Sequence, residues 1–164
     1  MKSILLTILL FSTAAFAADG IKRDDKSGEF TYVAPRVWIQ GTSPSKHDVF
    51  VFRAGDSKIR SVAMVPQPGY DGLEKFKAQL EREYPDEFKD FKLESSAIVK
   101  LKNGQESLRF AHTNSQPGHA VRQVTYTLQF SKEKRYVITL TVFPEDGKKH
   151  DAIFEDFVNS ITLK

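Results

Sequence analysis

From Arg122 to Val142 the chain alternates between apolar and polar residues almost without a break, and this pattern constrains the fold more than any other feature. In "RQVTYTLQFS", Val124, Tyr126, Leu128 and Phe130 fall on one side of an extended chain, and Gln123, Thr125, Thr127 and Gln129 fall on the other. A period of two is the mark of a half-buried β-strand. After a tight charged turn at Lys132-Glu133-Lys134, "RYVITLTVF" repeats the pattern with Tyr136, Ile138, Leu140 and Val142 inward. Upstream, residues 97–102 and 105–113 flank Asn103-Gly104, a two-residue hairpin signal in which both positions are expected at positive φ. Four strands on short links make an antiparallel meander. The Asn103-Gly104 and Lys132-Glu133-Lys134 turns then share one end of it.

A sheet with one apolar face needs a cover, and the flanking sequence supplies two. Leu73, Phe76, Leu80 and Tyr84 recur at helical spacing while Glu, Lys, Gln and Arg take the other faces. Asp71 with Glu74 three residues on has the form of a capping box, and Pro85 is expected to end this helix and open a short second one that tucks Phe88 and Phe91 onto the core. Near the C-terminus, Ile153, Phe154, Phe157 and Val158 form one stripe of a helix expected to begin near Lys148, and Ile161 and Leu163 alternate as a short last strand. A stripe of four large apolar residues is too large to leave exposed on a soluble monomer, so this helix is expected to cover the sheet rather than dock a partner. Before the first helix, "FTYVAP", "DVFVFRA" and "IRSVAMVPQ" read as strands. Trp38, the single tryptophan, is expected to pack against the sheet.

The N-terminus bounds the compartment. Lys2, the apolar run from Ile4 to Phe11 and the small-x-small Ala15-Phe16-Ala17 read as a signal peptide cleaved after Ala17, giving an exported protein, periplasmic or secreted. The apolar run is too short to span a bilayer. Residues 1–17 are thus a leader, residues 18–29 a charged and flexible lead-in, and residues 30–164 a single domain. There is no cysteine. Disulfides, thiolate metal sites and a lipid anchor on cysteine are therefore excluded, and the core alone must hold the fold. A formal charge of +3, one unit of which leaves with Lys2, built from interspersed signs, gives little steering toward nucleic acid.

No motif points to catalysis or to a cofactor. The sequence lacks G-x-S-x-G, H-E-x-x-H, a Walker loop and a Rossmann glycine fingerprint, and a pairing of Ser115 with His112 as nucleophile and base rests on residue type alone. Lys132, Lys134 and Arg135 read as a solvated hairpin turn. The candidate site comes from strand direction. The end of the meander opposite the two turns gathers His112, His119, Arg122, Lys148, Lys149 and His150 beside the start of the last helix, a place suited to an anion or to a protein partner.

The order of elements resembles the PsbP-like superfamily, which includes photosystem extrinsic subunits and DcrB-type bacterial envelope proteins. The resemblance spans residues 30–164 and rests on Tyr32, Pro35 and Trp38 in "Y-x-x-P-x-x-W", the mid-chain helix, the meander, and the terminal helix running into "FVNSI". It implies an α+β fold in which an antiparallel meander is flanked by helices as an α/β/α sandwich. It also implies a non-catalytic binding or assembly protein of the bacterial envelope that acts through protein partners. A cystatin-like α+β roll is the alternative fold. The alternative function is an exported small-molecule or metal binder, or a weak hydrolase, with a pocket between helix and sheet.

Overall fold

A computed structural model describes residues 20–41, 49–52 and 61–164. The expected leader and the first two residues of the lead-in lie outside the described residues. In chain order the elements are β1 (Gly20–Asp24), β2 (Phe30–Pro35), β3 (Trp38–Gly41), β4 (Val49–Phe52), β5 (Ser61–Pro68), α1 (Leu73–Glu87), β6 (Lys92–Lys100), β7 (Glu106–Gln116), β8 (His119–Gln129), β9 (Lys134–Val142), α2 (Asp151–Asn159) and β10 (Thr162–Leu163), with a 3-10 turn at Pro144–Asp146 before α2. The larger sheet has the order β3-β4-β5-β9-β8-β7-β6 and is antiparallel throughout. A second sheet has the order β1-β2-β10.

The meander folds as the alternation requires. Val124, Tyr126, Leu128, Tyr136, Ile138, Leu140 and Val142 are all buried on one face. They pack into one cluster with Phe154, Phe157 and Val158 of α2 and with Phe30, Tyr32 and Ala34 of β2. The Trp38 ring joins them, 5.1 Å from Phe157. The opposite face of β6 to β9 is covered by α1, whose Phe76 and Leu80 meet Leu108 and Phe110. Helices on both faces of an antiparallel sheet give the α/β/α arrangement.

Four local expectations differ. The charged lead-in is partly a strand: β1 pairs with β2 from Gly20↔Pro35 to Asp24↔Thr31. The turn between them is set by Asp25, whose buried carboxylate accepts from the Ser27 amide at 2.9 Å, while the Gly28 amide donates to the Asp25 carbonyl at 2.8 Å. Charged residues such as Lys22 and Arg23 suit the edge strand that this hairpin makes. Pro85 does not divide the helix, because α1 runs unbroken to Glu87. It falls in the last turn, where one missing amide disturbs little of the ladder. Asp71 does not cap α1, since Gly72 occupies the N-cap at φ +100° without a side-chain cap. At Asn103-Gly104 only Gly104 has positive φ, +86°. The Gly104 amide donates to the Leu101 carbonyl at 2.9 Å and the Leu101 amide donates to the Gln105 carbonyl at 2.8 Å, so the hairpin closes one residue wider than a two-residue turn.

Candidate functional site

Among the described residues two arginines are buried, one on each face of the larger sheet, and their surroundings are opposite in kind. The parity of β8 puts Arg122 with Val124 and Tyr126 on the α2 face. In β9, Tyr136 faces α2, so its neighbour Arg135 faces α1 together with Val137 and Thr139.

Arg122 is 2% exposed and fully engaged. Its Nε donates to both Glu94 oxygens at 3.0 and 2.9 Å, Nη1 donates to Asp151 Oδ1 at 2.7 Å, and Nη2 donates to Asp151 Oδ2 at 2.9 Å. Glu94 reaches this face because the β6–β7 register shifts between Leu93 and Ser95, a bulge that re-aims the side chain. Arg109 completes the group, donating to Asp151 at 3.1 Å and to the Ser95 hydroxyl at 2.9 Å. Burial works to lower the Arg122 pKa, but hydrogen bonds and charge from Asp151, then Glu94, hold it above the ordinary arginine range. The cluster ties β6, β7, β8 and the start of α2 together.

The residues expected to converge at the far end of the meander are thereby separated. Arg122 is spent on carboxylates, and Asp151 already places a negative charge at the first turn of α2. His112 lies on the other face, buried among the rings of Tyr84, Phe88, Phe91 and Phe110 at 5.3 to 5.7 Å. Burial pushes its imidazole down to about 4, only partly opposed by Gln123 across the ladder. His119, Lys148 and Lys149 remain exposed at that end, and His150 is half-buried as the residue preceding α2. Ser115 and His112 sit on opposite sides of β7, and the Ser115 hydroxyl donates to Asp90 at 2.7 Å, so they do not form a nucleophile and base. Among the described residues no group of three or more His, Asp or Glu is placed to hold a metal ion.

Arg135 is the residue that the sequence reading placed in solvent and the structure buries. It is 4% exposed. Its guanidinium carbon lies 3.5 Å from the Tyr70 ring centroid and 4.0 Å from that of Phe76. Nη2 donates to Gln67 Oε1, across the β5–β9 ladder, whereas Nε and Nη1 are buried without a hydrogen-bond partner. Burial pushes this guanidinium below the ordinary arginine range, opposed by Tyr70 and Tyr84. A cleft of about 240 Å³ opens here between α1 and the sheet, with Phe76, Leu80, Tyr84, Thr125 and Thr127 among its walls. A broader cleft of about 620 Å³ lies at the start of α1, and Tyr70 borders both. Gly69 sets the position of Tyr70: its backbone runs so close to the Lys132 carbonyl that any Cβ there would collide with it. The signal for this site was the parity of β9, since a residue next to inward Tyr136 must face whatever the amphipathic α1 covers.

No family model matches the sequence, and no curated protein matches it. Solved structures do. The solution structure of cyanobacterial PsbP, CyanoP, from Synechocystis has a TM-score of 0.62 at 9% identity, covering 92% of this chain and 96% of that one. A Pseudomonas aeruginosa protein of unknown function has a TM-score of 0.51 at 11% identity, over 77% of this chain and 97% of that one. LpqN of Mycobacterium tuberculosis, described as involved in cell envelope biogenesis, has a TM-score of 0.55 at 11% identity, over 91% and 87%. The chain has the PsbP-like α+β fold.

Proposed function

We propose that the chain is an exported, non-catalytic binding protein of the bacterial envelope, and that its binding site is the cleft between α1 and the sheet. The observation that carries this reading is Arg135, a charged side chain held in a cleft with Nε and Nη1 unpartnered. Buried donors without acceptors are costly, so a fold that retains them has a use for an acceptor supplied from outside. The signal-like N-terminus and the envelope role described for LpqN support the compartment. Of the two function classes open from the sequence, a ligand between helix and sheet is favoured over a protein partner at the histidine-rich end, where Arg122 is already neutralised.

The test is expression of the full chain in a bacterial host, followed by fractionation and native mass spectrometry of the protein released from the envelope. The expected result is a periplasmic or secreted chain that starts at Ala18, carries no lipid, and retains a small co-purifying mass. A full-length cytoplasmic chain would overturn the export reading. Capture of a protein at His119 and Lys148 with the cleft empty would overturn the choice of site.

A further inference from the structure

We infer that the α1 cleft takes a small organic acid carrying one carboxylate, with Arg135 as the group that receives it. The inference rests on the proposed function, and it names the ligand class for that site.

The protein contains its own comparison. Arg122 and Arg135 are buried to the same degree on opposite faces of one sheet. Arg122 meets two carboxylates that take Nε and both terminal nitrogens. Arg135 has one neutral acceptor, Gln67, and no carboxylate within ion-pair distance among the described residues. Nε and Nη1 carry three of a guanidinium's five N–H donors, and each shares one edge of the planar group with Nη2, so a carboxylate set against either edge reaches one of them. Tyr70 and Phe76 hold the charge through their ring faces, but a ring face supplies no lone pair for an N–H. What Arg122 has and Arg135 lacks is a carboxylate.

The rest of the cleft narrows the class. Its volume of about 240 Å³ holds roughly eight waters at ~30 Å³ each, which suits a compact acid. Phe76, Leu80, Tyr84 and Val137 give it apolar wall, while Thr125 and Thr127 line the sheet side. Glu83 and Glu87, both exposed, also border it. Their charges oppose a dianion such as phosphate and leave a monoanion as the better match. Nε and Nη1 are closed to bulk water by their surroundings, so binding there requires a covering group to move aside. Tyr70 is half-buried on the link between β5 and α1 and borders the broader cleft as well.

The experiment is an ¹⁵N NMR titration of the mature protein that follows the Arg135 Nε–H signal. The probes are benzoate, acetate and pyruvate, with benzamide as the neutral isostere of benzoate and inorganic phosphate as the dianion. The expected result is a saturable downfield shift of Arg135 Nε–H with at least one acid, binding at least tenfold weaker for benzamide and for phosphate, and loss of acid binding in Arg135→Gln. Because the signal is read in the unaltered protein, failure of Arg135→Gln to fold does not remove the test. No acid binding at tens of millimolar, or acid binding that leaves Arg135 Nε–H unmoved, overturns the carboxylate assignment. Equal binding of benzoate and benzamide in the cleft overturns it too, while leaving the cleft as a binding site. Perturbation confined to the His119 and Lys148 end overturns both.

Discussion

Replacing Phe157 by alanine separates a core helix from a docking helix. The ring is 1% exposed and lies between the two sheets, 5.1 Å from Trp38 and 5.5 Å from Tyr32 by ring centroids. Phe→Ala in a core costs about 3–5 kcal/mol, and a site that cannot collapse falls at the upper end of that range. This one is held open from both sides. Tyr32 is fixed in β2, which pairs with both β1 and β10, and the Ser160 hydroxyl at the end of α2 accepts from the Val33 amide at 2.8 Å. The two ring contacts add to the loss. The expected cost is therefore about 4 kcal/mol, against a typical total of about 5–15 kcal/mol. That corresponds to a fall in Tm of about 10–15 °C for a domain of this size. Urea titration followed by circular dichroism checks it, with the midpoint lowered and the slope unchanged. Phe157→Leu, which keeps most of the volume, should lose less than half as much. A Phe157→Ala protein within about 1 kcal/mol of wild type would refute the reasoning and return α2 to the role of an exposed docking surface.

Asp151→Ala should cost about 3–5 kcal/mol in the same titration, because it leaves Arg122 buried with Glu94 alone; pairing it with Arg122→Met should recover part of that loss. His112 predicts a pH dependence. Its folded pKa, about 4, lies below the ordinary value of 6.5, so the folded state stays neutral while the unfolded chain takes up a proton. Stability is fully present above about pH 6.5 and falls as pH drops toward 4, by on the order of 2–3 kcal/mol, and His112→Leu should flatten that window in melts across pH. Gly69→Ala should disturb the seat of Tyr70, since the added methyl meets the Lys132 carbonyl; the measurement is Tm, expected to fall by several degrees.

The parts of the fold that were legible in the sequence are those governed by strong local periodicity. β8 and β9 announced which side chains face inward, and the stripe of Phe154, Phe157 and Val158 announced a covered helix. β1 was not legible, because "GIKRD" has neither apolar period nor β-branched content beyond Ile21, and it is a strand only through β2 and the Asp25 turn. Pro85 misled in the other direction, because a missing amide breaks a helix interior but is tolerated in a last turn, and the sequence does not mark Glu87 as the end of α1. Strand direction put residues 112–122 and 144–150 at one end of the meander, but direction says nothing about faces. His112 and Arg122 sit on neighbouring strands and point to opposite sides of the sheet. Arg135 was misplaced by the charge of its neighbours Lys132 and Lys134, although its parity with Tyr136 already put it under α1.

The most direct test of the account is hydrogen–deuterium exchange of the mature protein, with and without the small-molecule fraction washed from the host envelope. Slowed exchange concentrated in residues 67–87 and 125–137, the two sides of the Arg135 cleft, and abolished in Arg135→Gln, is the predicted result. Protection centred instead on residues 116–120 and 144–150, or unchanged by loss of Arg135, would contradict it.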